Sequence, residues 1–588
     1  MITVGINEGH NSTACVFKDG QIMAAISEER ITRQKTESGF PTKAIEKCLE
    51  IAGVSIEDVD NVAISTHHLP ATYMITKRNT HFSIKDYVRE QKEYWRPKLF
   101  ENKDVDYLSL FSEHDYRDEL PYDFSKLKDF NDIAAFTEIR MENARKFFNL
   151  PPEKIVIYDH HLCHAAYAYY ASPFRKKDVL VITADGGGDY TSGTVNCVKN
   201  GKLEVIHRCK NNNIGRMYRY TTLILGMKLS EHEYKVMGMA PYAKDEIMAE
   251  PYAIYAETLQ NDGLDFKYKV KPKGNFFHFK EQFDSCRFDG ISKAIQTRTE
   301  ELITTWIKNA LDHTGLKNLV YSGGVAMNVK VNKRLGEMEE IEEFFVPPSG
   351  GDESTAIGAA YLTLAETLDE TEIHHISSAY LGHEFDNNDV MEALKKVNAS
   401  KTCIIKENAT SKELAEILSK GGIIARLAGR MEFGARALGN RSIIANPKDF
   451  DVVRVINEMI KRRDFWMPFT PSILKEREHD YLINPKGYAS PFMAIGFDST
   501  ELAREELKAA IHPYDFTVRP QLVEKEINPQ YWELIKEFEK ITGVGAVLNT
   551  SFNLHGEPIV ASPGDALKTF FESGLDNLLL NNILVQKK

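Results

Sequence analysis

The sequence predicts an α/β protein: a duplicated N-terminal domain followed by a second α/β domain. Three observations predict it. A strand–turn–hairpin pattern occurs twice, glycine-rich loops follow apolar strands, and the chain makes a fresh, arginine-rich start after residue 420. In the first occurrence Met1 to Gly5 is an apolar strand, Asn7 to Ser12 a small polar turn and Ala14 to Phe17 a second strand. Asp19-Gly20 then forms a tight hairpin turn and Gln21 to Ile26 a third strand. In the second, Val179 to Thr183 is a strand, Asp185 to Asp189 a turn and Gly193 to Val198 a strand. Asn200-Gly201 is a hairpin turn and Lys202 to His207 the third strand. Two such halves suit a nucleotide in the cleft between them. Two unrelated hairpins in a mixed fold are the plainer reading of the same pattern.

Between the halves, Thr42 to Ala52 has helical periodicity and stops at Gly53, a C-cap position. Residues 66–130 form an aromatic-rich insert, with Tyr73, Tyr87, Tyr94, Trp95, Phe100, Tyr107, Phe111, Tyr116, Tyr122 and Phe124 among many charges. That composition suits a cleft lining or a ligand-free helical cap equally. Glu366 to Ser378 reads as a polar linker, and Gly421 to Leu427 as a new strand. The domain boundary is expected near residue 375, giving domains 1–375 and 376–588.

The 588 residues are 43 % hydrophobic and 27 % charged, enough apolar content for two full cores. The net charge of -12 argues against a general nucleic-acid surface while allowing a local basic pocket. No apolar run reaches the roughly 18 residues of a membrane span, and MITVGINEGH does not read as a signal peptide. Seven cysteines without a CxxC pair suit reduced thiols and a cytoplasmic location.

Three constellations carry chemistry. The first is Asp159-His160-His161-Leu162-Cys163-His164, where His160 and His164 lie one turn apart on a helix and so can chelate a metal. With 18 histidines, chance supplies about half of one such pair, so a core or capping role competes. Asp352, on the Pro347 to Asp352 loop, adds a carboxylate. Two histidines and an aspartate with open positions suit iron(II), manganese or zinc. The second comprises the glycine-rich loops Ser322 to Asn328, with Gly323, Gly324 and Asn328, and Asp185 to Asp189, with Gly187. Backbone N–H groups there can approach a phosphate or ribose. The third is basic: Arg430, Arg436 and Arg441, joined by Lys461-Arg462-Arg463, Arg519 and the Asn549, Ser551, Asn553 stretch. Such a cluster in an acidic chain reads as a polyphosphate pocket or, more plainly, as surface ion pairs.

At these residues the chain resembles the NodU/TobZ family of O-carbamoyltransferases. The resemblance runs through GINEGHNSTA, SEERITRQK, DHHLCHAA, ADGGGD, EHEYKVMGMAPY, SGGVAMNVKVN and PPSGGDESTAIGAA. It continues through GRMEFGARALGNRSI, KRRDFWMPFTPS, TVRPQ and LNTSFNLHGEP. It implies an actin/Hsp70-like (ASKHA) first domain, similar to the tRNA threonylcarbamoyl-transferring ATPases, and a YrdC-like second domain. It further implies iron on His160, His164 and Asp352, with Asp185 beside them, and His10 and Lys35 at the carbamoyl group. Arg430, Arg436, Arg441, Lys461, Arg463 and Arg519 would hold carbamoyl phosphate and Mg2+-bound ATP. Glu8 and Asn11 depart from the aspartates more usual in related sequences, and Glu353-Ser354 from a small residue followed by glycine.

The implied reaction makes carbamoyl-adenylate in one domain and transfers its carbamoyl group to a hydroxyl in the other, with His10 as general base or orienting donor. The partner expected is a small hydroxylated metabolite, with no membrane; a homodimer is left open. A tRNA threonylcarbamoyl transferase shares both domain types, but the acidic balance favours a small acceptor. A non-enzymatic actin-like nucleotide switch leaves the arginines without a role, and HHLCH lacks the glutamate of a metalloprotease's HExxH.

Overall fold

In the first third of the chain, β1 (Ile2–Asn7), β2 (Thr13–Lys18) and β3 (Gln21–Ser27) make an antiparallel meander. Then β4 (Asn61–Ser65) and β5 (Ile155–Tyr158) add parallel to β1, giving the order β3-β2-β1-β4-β5. The structure is a computed structural model describing residues 1–461 and 463–588. The pattern repeats. The strands β6 (Val179–Gly188), β7 (Thr191–Lys199) and β8 (Lys202–Cys209) form a second meander. After a small hairpin, β9 (Leu259–Asp262) and β10 (Asp265–Tyr268), come β11 (Asn318–Ser322) and β12 (Glu343–Phe345). Both of these run parallel to β6, and the order β8-β7-β6-β11-β12 reproduces the first sheet. This is a duplicated α/β arrangement, each half a meander extended by two parallel strands.

Both hairpins turn where the sequence places them. Asp19 and Gly20 have φ of 48° and 77°, Asn200 and Gly201 of 51° and 75°, the left-handed pair that matches strand twist. The helix Thr42–Ala52 ends on Gly53 with φ 64°, as its periodicity requires. One expectation is corrected. Asp185 to Gly188 is not a turn but the bulged end of β6, and the chain reverses at Asp189 and Tyr190.

Two helices position the site. His160–Tyr170 packs on β6 and β11, and Thr355–Thr367 packs on β1 and β4 and against the first helix. The helices touch at Gly358, where a Cβ would come within 1.9 Å of the Cys163 carbonyl oxygen, so glycine is what lets the backbones meet. The 66–130 region folds as short helices around a core it shares with later segments, Phe82, Tyr87, Tyr94, Tyr107 and Phe111 being buried together with Leu223, Leu229 and Phe276. Inside it Arg78 donates twice to Glu90, at 2.6 Å each, both side chains buried. The segment after Glu366 is packed rather than loose: Ile373 and Ile376 are buried, and the His374 N–H donates to the Gly20 carbonyl.

The chain divides into two compact units. One holds residues 1–29 and 36–377, the other 30–35 and 378–588. The second is built on a mixed eight-stranded sheet. Its strands are β13 (Cys403–Lys406), β14 (Ile424–Leu427), β15 (Arg441–Ala445), β16 (Thr470–Leu474), β20 (Gln521–Val523), β21 (Ala546–Ser551), β22 (Asn577–Leu580) and β23 (Ile583–Lys587). They lie in the order β13-β23-β22-β14-β15-β21-β16-β20. Strands β17 (Leu482–Ile483), β18 (Phe497–Ser499) and β19 (Thr517–Val518) form a small separate sheet. Residues 30–35 are held in this unit by Arg30, which donates to the Gly434 carbonyl, and Arg33, which donates to those of Pro558 and Ile559. No helix among the described residues is long and apolar enough to cross a membrane.

Candidate functional sites

His160 opens the helix after β5, capped by Asp159, which accepts from the Leu162 N–H. His164 follows one turn later, and both imidazoles are buried. They face two carboxylates. His164 Nε2 is 3.4 Å from Asp185 and 3.6 Å from Asp352; His160 Nε2 is 3.9 Å and 3.8 Å from the same pair. Asp185 comes from the end of β6 and Asp352 from the turn that leads into helix Thr355–Thr367. All four ligand atoms lie within 4.8 Å of one another.

The electrostatics of this cluster are those of a cation cage. Burial disfavours charge on His164, yet the facing carboxylates of Asp185 and Asp352 outweigh it and push the imidazole up to about 9; His160 is raised by the same two carboxylates. Asp185, half-buried, is held well below the usual carboxylate range by the two histidines. Nε2 of both histidines is buried without a hydrogen-bond partner, an arrangement that is costly unless something else occupies the lone pairs. Two imidazole nitrogens and two carboxylates with open positions fit a divalent iron, manganese or zinc ion. His161, between them, is structural: it bonds Thr183 and the Thr191 carbonyl, and burial lowers it to about 3. A second grouping, His207, Cys209 and Asp265, does not compare. Its thiol is raised by burial and donates to the Leu264 carbonyl.

His10 lies in the β1–β2 loop with its Nδ1 buried and unpartnered. A hydrogen-bond chain ties that loop to the metal-type cluster. Asn7 donates to the His10 carbonyl, Ser65 to Asn7, Thr355 to Ser65 and also to the Asp352 carbonyl. Glu8, the departure noted in the sequence, forms a fully buried ion pair with Arg140 at 2.7 Å and accepts from Tyr122 at 2.7 Å. Around Asp185, the Gly324 N–H donates to its carboxylate at 3.0 Å, so Gly324 lies beside the cluster; Gly187, two residues further along β6, lies against Arg216. Asn328 does something else. Its side chain caps helix Val329–Glu337 and pairs with Gln296, which corrects its expected place on the nucleotide.

In the second unit the expected basic cluster separates into struts and a pocket. Arg441 is fully buried, and its guanidinium donates to the carbonyls of Ala561, Gly429, Asn440 and His383. Arg430 donates to those of Gly382 and Leu381. Both were expected on phosphate; both hold loops instead, because a buried carbonyl needs a donor as much as a phosphate does. Lys461 is different. Its ammonium donates to the carbonyl and hydroxyl of Ser551 and to Asn553, and burial, with Arg463 and Lys35 nearby, pushes it well down. Arg519 is lowered likewise, by burial and then by Arg436 and Arg463. Lys35, expected beside His10, lies with the second unit and is felt at Lys461. Asn549 uses its amide on Ala437 and Ser472 inside the sheet, leaving its Oδ1 buried and unpartnered. Arg462, in the same basic run, lies outside the described residues.

Sequence reasoning passed over Thr66, Arg140, Asp189 and Glu432. Thr66 bonds His160, and Asp189 takes the N–H groups of His67, His68 and His160. Glu432 accepts three backbone N–H groups of the loop that carries Arg441. Asp189 closes the ADGGGD stretch and Glu432 lies in GRMEFGARALGNRSI, so both were within reach of a motif; Thr66 and Arg140 stand in none.

Comparison with known proteins adds the following. The family described as Carbamoyltransferase N-terminus matches residues 3–361, and Carbamoyltransferase C-terminus matches residues 415–587. An uncharacterised protein of Methanocaldococcus jannaschii is 32 % identical over 601 residues, covering 96 % of this chain and 95 % of that one. Nodulation protein NolNO of Sinorhizobium fredii is 30 % identical, covering 98 % of this chain and 79 % of its own length. An uncharacterised protein of Synechocystis is 30 % identical, covering 98 % and 95 %.

Proposed function

The chain belongs to the carbamoyltransferase family and is a carbamoyltransferase, and from that premise we propose an ATP-dependent O-carbamoyltransferase with two sites. In the second unit carbamoyl phosphate is hydrolysed to phosphate and carbamate. A carbamate oxygen then attacks the α-phosphorus of Mg2+-bound ATP, and pyrophosphate leaves. In the first unit the hydroxyl of a small metabolite attacks the carbamoyl carbon of the resulting adenylate and AMP leaves.

The observation that supports this most is the buried ammonium of Lys461, set on Ser551 and Asn553 with the half-buried cations Arg463 and Lys35 near it, and Arg519 near Arg436 and Arg463. Such a group of like charges favours a polyanion, and it would neutralise the triphosphate so that a weak nucleophile can approach. Lys461 is oriented for this by Ser551 and Asn553. In the first unit His160, His164, Asp185 and Asp352 would hold a divalent ion, iron(II) among the candidates. Once bound, the ion would supply Lewis-acid neutralisation of the adenylate's phosphate charge. His10 takes the acceptor's proton, since its buried, unpartnered Nδ1 is a nitrogen available to a hydroxyl.

The test is pyrophosphate release from ATP by the full-length protein, with and without carbamoyl phosphate. Release that depends on carbamoyl phosphate is expected. Release at the same rate without it would remove adenylate formation from the reading.

A further inference from the structure

We propose that Thr66 is a positioning residue for the metal centre: its hydroxyl fixes the tautomer and orientation in which His160 presents Nε2 to His164, Asp185 and Asp352. The inference rests on the metal-centre reading above.

Thr66 Oγ1 lies 2.9 Å from His160 Nδ1, and both residues are buried. An imidazole that gives its Nε2 lone pair to a metal carries its proton on Nδ1 and needs an acceptor there. The threonine hydroxyl accepts that proton. The opposite ring nitrogen, Nε2, has no hydrogen-bond partner among the described residues.

The backbone at Thr66 shows that this placement is imposed. Its φ is 70°, a left-handed conformation that a β-branched residue strongly disfavours. Three contacts enforce it. The Thr66 N–H donates to the Tyr158 carbonyl at 2.9 Å, and Arg140 donates to the Thr66 carbonyl through both Nη1 and Nη2, at 3.0 Å each. Arg140 is itself fixed by its buried ion pair with Glu8. Asp189 joins the following residues, His67 and His68, to the His160 N–H, so backbone and ring of His160 are both tied to the 66–68 loop. The other side of the ring is closed by Gly188, where a Cβ would come within 2.3 Å of the imidazole.

His164 offers the contrast: its Nδ1 is buried with no hydrogen-bond partner. Of the two histidines, only His160 has its outer nitrogen engaged, and that engagement is with Thr66.

The experiment titrates metal-stripped, full-length protein with Mn2+ by calorimetry. It compares wild type, Thr66→Val, Thr66→Ser, Thr66→Gly and His164→Ala, with a melting curve of each metal-free protein. Thr66→Val, which keeps the shape and removes the hydroxyl, should bind Mn2+ about 10–100-fold more weakly, and Thr66→Ser should restore binding to within about threefold of wild type. Thr66→Gly tolerates the left-handed backbone and carries the test if the valine variant does not fold; it too should bind about 10–100-fold more weakly. Wild-type affinity in Thr66→Val or Thr66→Gly, with binding lost in His164→Ala, overturns this inference and leaves the metal centre standing. A lowered melting temperature with unchanged Mn2+ affinity also overturns it, since that is what a merely structural threonine gives. No Mn2+ binding by wild type, or equal binding by His164→Ala, overturns the metal centre and this inference together.

Discussion

In the first unit His160 and His164 are raised against the opposing effect of burial, by two facing carboxylates. In the second, Lys461 and Arg519 are lowered by burial and by neighbouring cations. The signs are opposite and the lesson is shared. In each place the fold gathers ionisable groups that a bound ion would rearrange: a metal cation would displace the imidazole protons in one, and a polyphosphate would draw in the cations of the other. Arg441 shows what the finished alternative looks like. It is as buried as any of them, and four carbonyl oxygens satisfy it.

The sharpest way to break this comparison is to disable one site and watch the other. His10→Ala should leave carbamoyl-phosphate-dependent pyrophosphate release intact and slow carbamoylation of the acceptor by about 10²–10⁴, measured by mass spectrometry of a hydroxylated metabolite panel. A loss below about tenfold would make His10 an orienting donor, and loss of pyrophosphate release in a folded variant would merge the two sites into one.

Next in size is Lys461→Met, which should lower pyrophosphate release by about 10²–10³. Its melting temperature without ligand should change less than that of Arg441→Ala, because the repulsion relieved offsets the three hydrogen bonds lost to Ser551 and Asn553. A lower melting temperature with release intact would turn Lys461 into a strut. Arg441→Ala should show a larger loss: the carbonyls of Gly429 and Ala561 lose their donor, those of Asn440 and His383 keep only a backbone N–H, and stability drops by about 3–5 kcal/mol, readable in a urea titration. Arg441→Ala with wild-type stability and no pyrophosphate release would return Arg441 to the phosphate.

The smallest effect is one of pH. His164 is raised from 6.5 to about 9, so in metal-free protein its contribution to stability is complete below about pH 6.5 and is lost as pH rises through about 9. The melting temperature of metal-stripped protein should therefore fall by a few degrees across that window. Metal-loaded protein should not follow, since the ion takes the proton's place. Parallel curves with and without metal would uncouple His164 from the ion.

Local chemistry made much of this legible from sequence. Hairpin turns at Asp19-Gly20 and Asn200-Gly201, the helix stop at Gly53 and the one-turn spacing of His160 and His164 are each decided within a few residues, by left-handed backbone freedom or by helical pitch. The duplication followed from those same local signals occurring twice. Other features depend on partners far along the chain. Arg441 and Lys461 both read as cations in arginine-rich runs, yet one meets carbonyls and the other meets Arg463 and Lys35. Lys35 goes with the second unit although its neighbour Thr36 belongs to the first. Nothing near Thr66 announces His160, ninety-four positions away. Composition and spacing determined which chemistries this chain carries, a metal-type pair and a phosphate-type cluster. Only the tertiary structure decided which residues serve them, because the same guanidinium, amide or hydroxyl binds a ligand or a backbone group according to what the fold leaves facing it.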